Sequence, residues 1–237
     1  MSYGKLYLIP TPLGEGDPAQ VLPASVLEVI PTLTCFVVEE VRTARRFLSA
    51  AGLKGQIGGL EFHELNEHTA PAEVEALASL FADGRNVGLL SEAGLPAVAD
   101  PGALLVALCH RRGIEVVPLV GPSSLMMALM ASGLNGQSFA FVGYLPVDKS
   151  KRAAAIRHLE ERLHREHQTQ IFIEAPYRNN QMLESLCATL NPQTMICVAC
   201  DLTMPTQQIR SLTAAQWRKE REKWNLHKRN TVFLIGQ

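Results

Sequence analysis

Residues 86–124 hold the pattern that most restricts what this chain can fold into. An apolar run of strand length, Val87-Gly88-Leu89-Leu90, stops at Ser91. A loop of small residues follows, reaching Asp100-Pro101-Gly102. A helical stretch with Leu104, Leu105, Ala107 and Leu108 ends at Gly113, and a second apolar run, Val116 to Val120, leads into Gly121-Pro122-Ser123-Ser124 and another helix. Asp100 stands where a helix N-cap would stand, with Pro101 at the first helical position. Strand, loop and helix repeated in this way mark a parallel sheet, and ligands bind such sheets beyond the carboxyl ends of the strands. Both Gly/Ser/Pro loops fall there.

The pattern extends in both directions. Upstream, strands are expected at Lys5–Pro10, Cys35–Val38 and Gly58–Phe62, with helices over 18–33, after Arg42 and over 71–82. Downstream, Ser138–Pro146 closes the first half, and Asp148-Lys149-Ser150-Lys151 is the best boundary. The second half reads as a charged helix over 150–166, then strands at Gln170–Glu174, Met195–Cys200, Gln207–Leu212 and Thr231–Ile235. Denser strands there imply a mixed sheet. The expected fold class is therefore α/β in two domains: residues 1–147, with a mainly parallel sheet, and residues 148–237, with a mixed sheet.

Charge divides at the same place. The 237 residues carry a net charge of −1. Residues 1–147 hold 8 Lys/Arg against 14 Asp/Glu, and residues 148–237 hold 14 against 9. A basic half suits a polyanion, with Lys149/Lys151/Arg152 and Arg218/Lys219/Arg221 as its grips.

Several chemistries find no support. No apolar run approaches the ~20 residues of a membrane span, and the first residues lack a signal-peptide layout; a soluble, cytoplasmic chain is expected. Five cysteines are scattered and odd in number. Cys197 and Cys200 lie on one expected strand, where positions i and i+3 face opposite ways. His63-Glu64-Leu65-Asn66-Glu67-His68 is not a zinc motif, because its histidines are five apart. No metal is expected. Dinucleotide and P-loop glycine patterns are absent, as is a nucleophile elbow. What remains is a set of small-residue loops at strand ends, at 11–16, 91–102, 121–124 and 175–177, where backbone can approach a ligand closely.

Taken together, these loops resemble the tetrapyrrole methylase superfamily. The resemblance is carried by Leu6-Tyr7-Leu8-Ile9-Pro10-Thr11-Pro12-Leu13-Gly14, by Glu39-Glu40-Val41-Arg42 and by His63-Glu64-x-Asn66. Ser91-Glu92-Ala93-Gly94-x-Pro96, Asp100-Pro101-Gly102 and Pro118 to Ser124 are its most specific parts. Gly143-Tyr144-Leu145-Pro146, Glu174 to Arg178 and Leu202-Thr203 narrow it to the branch that 2′-O-methylates a cytidine of small-subunit ribosomal RNA.

The resemblance implies S-adenosyl-L-methionine as cofactor, two α/β domains that share it, a homodimer, and ribosomal RNA or the small ribosomal subunit as partner. Cofactor contacts would fall on Pro12, Leu90, Ser91, Ala93, Gly94, Ser123, Ser124, Leu202 and Thr231. A ribose hydroxyl is a weak nucleophile, so a general base is expected, and His63 and Glu64 are the candidates. The chain departs from the branch at Val41, Glu92, Leu95, Tyr177, Cys200 and Met204. These changes spare the small residues and fall on polar, substrate-side positions. They leave open a methyltransferase acting on a small molecule such as a tetrapyrrole, or a non-catalytic cofactor-binding protein.

Overall fold

The computed structural model describes residues 3–237, which form two compact units, the first running to Ser123 and the second spanning Ser124–Gln237. In the first, strands and helices alternate: β1 (Lys5–Ile9), α1 (Ala24–Val29), β2 (Cys35–Val38), α2 (Val41–Leu48), β3 (Glu61–Glu64), α3 (Pro71–Ala76), β4 (Val87–Leu90), α4 (Ala103–Arg112) and β5 (Glu115–Pro118). The five strands form one sheet in the order β3-β2-β4-β1-β5, and every pair is parallel. β2 and β4 are buried along their whole length, as expected of parallel strands covered on both faces. One apolar cluster joins Ile9, Phe36 and Val38 to Val26, Ala44 and Leu48 of α1 and α2. The other joins Leu6, Val37 and Leu89 to Val74, Leu105 and Leu108 of α3 and α4. Connections from β1 and β2 thus cross one face, and those from β3 and β4 cross the other.

The second unit contains α5 (Ser124–Ser132), β6 (Phe139–Tyr144), α6 (Lys149–Glu166), β7 (Thr169–Ile173), α7 (Asn179–Thr189), β8 (Met195–Cys200), β9 (Gln208–Thr213), α8 (Ala214–Glu220) and β10 (Thr231–Gly236). Its sheet runs β6-β7-β10-β8-β9, with β6 parallel to β7 and all other pairs antiparallel. Its core gathers Ile156, Phe172, Leu186, Val198, Trp217 and Phe233. Trp217 is fully buried, and its indole N–H donates to the Ile196 carbonyl at 2.8 Å, which satisfies its one polar atom.

The expected α/β class, with one parallel and one mixed sheet, is what the chain adopts. Residues 124–147 depart from the expected domain spans: α5 packs on β8, β9 and β10, and β6 pairs with β7, so this segment belongs to the second unit. The third strand begins later than the expected Gly58–Phe62 and takes in His63 and Glu64. Asp100 does not cap α4. Its carboxylate accepts from its own loop, the N–H of Ala97 at 3.1 Å and of Gly102 at 2.7 Å, and the helix starts at Ala103. A side chain that bonds two residues onward forms an Asx turn, which competes with capping.

Candidate functional site

In the first sheet, β1 and β4 are neighbours whose onward connections leave toward opposite faces. A crevice opens where neighbouring strands diverge in this way, beyond their carboxyl ends. The loops after β1 and β4 meet there and are stitched together. The N–H of Thr11 donates to the Gly94 carbonyl at 2.9 Å, and the N–H of Gly94 returns the bond to Thr11 at 3.1 Å. Gly94 has φ +81°, a conformation open to glycine at little cost. A Cβ there would lie 3.1 Å from Leu13 Cδ2 and 3.4 Å from the Pro122 carbonyl oxygen, so the loop after β5 reaches the same place. Gly121 of that loop sits against Pro10, and a Cβ on it would come within 2.1 Å of the proline ring.

Of the residues read from the sequence, Pro12, Leu90, Ser91, Ala93, Gly94 and Ser123 stand on these three converging segments. Ser91 is 8% exposed, and its hydroxyl has no hydrogen-bond partner. A buried hydroxyl left unpaired costs about 1–3 kcal/mol. Such an atom fits a cradle that a polar ligand completes. The loop's backbone is also strained: Ala97 and Ala99 hold φ of +65° and +55°, and the Asp100 carboxylate fixes the turn between them and Gly102.

Acidic side chains crowd the same edge. Burial pushes the carboxyls of Glu39, Glu92 and Asp100 above their ordinary range, and mutual repulsion adds to the shift at Glu39 and Glu92. Glu40 behaves oppositely. It caps α2, accepting from Thr43 and from the N–H of Arg42, and these bonds hold its pKa down. The raised group was missed in the sequence because Glu39, Glu92 and Asp100 come from two different strand ends. Its one visible signal was Glu39, directly after an all-apolar strand.

His63 and Glu64 do not join this crevice. They lie on β3, the edge strand, about 10 Å across the sheet from β4 and about 14 Å from β1 at ordinary strand spacing. His63 turns back toward the amino end of its strand, with Nε2 2.6 Å from Glu61 Oε1, while Arg85 Nη2 donates to Glu61 Oε2 at 2.6 Å. Ligand atoms of Cys35, Glu61 and His63 come within 4.8 Å of one another. Both oxygens of Glu61 are already engaged, and burial pushes the Cys35 thiol up.

In the second unit the sequence motifs again share one sheet end. The carboxyl ends of β6, β7 and β8 and the amino end of β10 lie together. Leu202 and Thr231 are both buried, and the Thr231 hydroxyl lies 3.4 Å from Cys200 Sγ. Asp201 and Thr203 hold φ of +50° and +70°, unusual for a β-branched residue such as Thr203. Asp201 pairs with Arg229, from the segment before β10, at 2.7 Å. Cys197 and Cys200 point to opposite faces of β8, as expected.

Two of the expected RNA grips hold backbone carbonyls, and one of them, Arg152, is buried. Arg152 is 2% exposed and donates to Ser185 Oγ and the Val147 carbonyl. Arg218 donates to the carbonyls of Cys187 and Leu190 at the end of α7. Lys149, Lys151 and Lys219 are exposed. A surface groove of about 440 Å³ between α7 and residues 221–225 is lined by Asn180, Leu183, Glu184, Arg221, Glu222, Trp224 and Asn225, and Arg221 alone among these was singled out in the sequence.

The profile of the Tetrapyrrole (Corrin/Porphyrin) Methylases matches residues 5–217. Ribosomal RNA small subunit methyltransferase I of Escherichia coli O157:H7 is 32% identical over 238 aligned positions, covering 99% of this chain and 78% of that protein. Its counterpart in Vibrio cholerae is 30% identical, covering 97% and 76%. Among solved structures, the methyltransferase CobJ superposes with TM-score 0.66 at 19% identity, covering 99% of this chain and 94% of its own. Uroporphyrin-III C-methyltransferase from Thermus thermophilus, complexed with S-adenosylhomocysteine, gives 0.55 at 18%, covering 99% and 98%.

Proposed function

This chain belongs to the tetrapyrrole methylase family, and on that premise we propose that it is an S-adenosylmethionine-dependent methyltransferase acting on small-subunit ribosomal RNA, at a ribose 2′-hydroxyl. The observation that carries the proposal is the bridged crevice between β1 and β4, with the unpartnered Ser91 hydroxyl inside it. The relatives that span nearly the whole chain supply the substrate class.

When bound, the cofactor supplies an electrophilic methyl group on a cationic sulfur. Pro12, Leu90, Ser91, Ala93, Gly94 and Ser123 would hold it in the first unit, chiefly by backbone. Ser124, Leu202 and Thr231 of the second unit keep the contact role that the resemblance gives them. The crowded carboxylates favour a positive charge placed among them. The base role expected of His63 and Glu64 passes to Glu39 and Glu92, whose raised pKa is the direction a general base needs.

A homodimer is part of the proposal, supported by the apolar α5, where Met130 is 80% exposed. So is action in the cytoplasm, where the proposed substrate is found; no helix of the described residues is long and apolar enough to cross a membrane. The test incubates the protein with methyl-labelled cofactor and, separately, small ribosomal subunits, naked small-subunit RNA and tetrapyrrole precursors. Label in ribose of the subunit or its RNA is expected. Label only in a tetrapyrrole, or in nothing, would overturn the proposal.

A further inference from the structure

We propose that Tyr144 and Tyr177 form a stacking platform for an unpaired nucleobase of the substrate RNA, at the shared end of β6 and β7. The inference rests on the RNA reading above and adds to it a binding site and the feature of the ligand that the site takes.

Both rings are exposed where an apolar side chain gains nothing from folding: Tyr144 is 62% and Tyr177 is 61% exposed. Neither is loosely placed. β6 is an edge strand, and just before Tyr144 it carries a bulge, with Val142 and Gly143 opposing the single residue Phe172 of β7. Gly143 has φ +70°, which permits the bulge. A bulge re-aims the side chain that follows it, and the residue re-aimed here is Tyr144.

Tyr177 is fixed by a relay from the core. The Glu174 side chain is 1% exposed, and its Oε1 accepts from the N–H of Ala175 at 2.7 Å and from Arg178 Nε at 3.0 Å and Nη2 at 2.7 Å. Arg178 Nη1 then donates to the Tyr177 hydroxyl at 3.0 Å, with its guanidinium carbon 5.0 Å from the ring centroid. Both phenols lie within electrostatic reach of Arg178. The N–H of Lys228 donates to the Pro176 carbonyl at 3.0 Å and ties the neighbouring loop to this turn.

Cations stand around the rings. α6 starts just beyond β6, which puts Lys149 and Lys151 at the same sheet end, and Lys228 is held there by its backbone. All three are exposed and form no ion pair with a described residue. Rigid aromatic faces flanked by free lysines match single-stranded RNA, whose bases stack and whose phosphates need positive charge. A duplex would offer no unstacked base to such rings.

The test uses the full chain with Tyr144→Ala and Tyr177→Ala, and with Tyr144→Phe and Tyr177→Phe as ring-retaining partners. An oligoribonucleotide carrying 2-aminopurine in an unpaired stretch reports stacking through quenching of its fluorescence. KM for the RNA, kcat and cofactor affinity are measured alongside. Each alanine variant should raise KM roughly tenfold and lose the quench, with kcat and cofactor affinity unchanged. The phenylalanine variants should keep the parental KM and quench. Parental KM and quench in the alanine variants, or a parent that methylates RNA without any quench, overturns the platform alone. A parent that labels no RNA overturns the functional proposal and the platform with it.

Discussion

Replacing Gly94 by alanine tests whether the bridge between the loops after β1 and β4 builds the binding crevice. The added methyl meets little: Leu13 Cδ2 at 3.1 Å is the mobile end of a side chain, and the Pro122 oxygen at 3.4 Å is in ordinary contact. The cost is therefore in the backbone, since alanine at φ +81° gives up about 1–2 kcal/mol. The loop can escape that strain only by rotating, which breaks both bonds to Thr11. Gly113 is the matched control. It has φ +69°, has nothing within 4 Å of its would-be Cβ, and ends α4 away from the crevice. Both alanine variants should lose about 1–2 kcal/mol in chemical denaturation, or roughly 2–8 °C in Tm for a chain of this size. Calorimetry should then separate them. Gly94→Ala should weaken S-adenosylmethionine or S-adenosylhomocysteine binding at least tenfold, about 1.4 kcal/mol, and Gly113→Ala should leave it unchanged. Equal affinities in the two variants would refute the crevice.

Other expectations follow from single contacts. Ser91→Ala should not destabilise the free protein, and should gain up to about 1 kcal/mol by removing an unpaired buried hydroxyl, while weakening cofactor binding; a clear loss of stability would mean that the hydroxyl has a partner. Glu39 and Glu92 have folded pKa values above the ordinary one, so the folded chain holds the extra protons and its stability rises as pH falls through that interval. The Glu39→Gln/Glu92→Gln double variant should accordingly be more stable than the parent near neutral pH, with the advantage fading toward about pH 4.5, where the parent is protonated too. An advantage constant across that range in denaturant titrations would argue against it. Arg218→Ala should cost about 1–2 kcal/mol through the lost α7 carbonyl bonds and leave the salt dependence of RNA binding alone. Lys219→Ala should do the reverse, shallowing the salt slope by up to about one unit, as read by fluorescence anisotropy.

How far the sequence speaks depends on whether the signal is local. Apolar strand runs ending in small-residue loops are local, so β1, β2, β4, β5 and β8 could be placed within a residue or two. The small residues at 90–94 could be assigned to one loop for the same reason. Long-range pairing is not local. Nothing in Phe139–Tyr144 says that it will lie beside β7, and the change of charge after Val147 marked a change of surface, not of core. The strand over 61–64 reads too early in the sequence because Gly58 and Gly59 resemble its start, whereas they belong to a single turn before it. The acidic group at Glu39, Glu92 and Asp100 and the bridge from Thr11 to Gly94 join distant positions, and only the assembled sheet brings them together. Arg152 looked like surface charge because composition counts a cation without showing that it is buried, and neither it nor Arg218 shows in the sequence which carbonyls it holds.

In each sheet an interior strand pairs with strands far from it in sequence, and this matters on the ribosome. β1 is made before both of its partners, β4 and β5; Ile9 and Pro118 are 109 residues apart in sequence. At roughly 5–20 residues per second, the apolar Leu6–Ile9 segment waits about 5–20 s for its second neighbour. The second sheet has the opposite problem. β10 lies between β7 and β8, so each keeps one edge unpaired until the nascent chain has grown past residue 231, although β6 and β9 can already cover their other edges. Each sheet is therefore completed late, and until then the nascent chain exposes unpaired strand edges of the kind that chaperones shield.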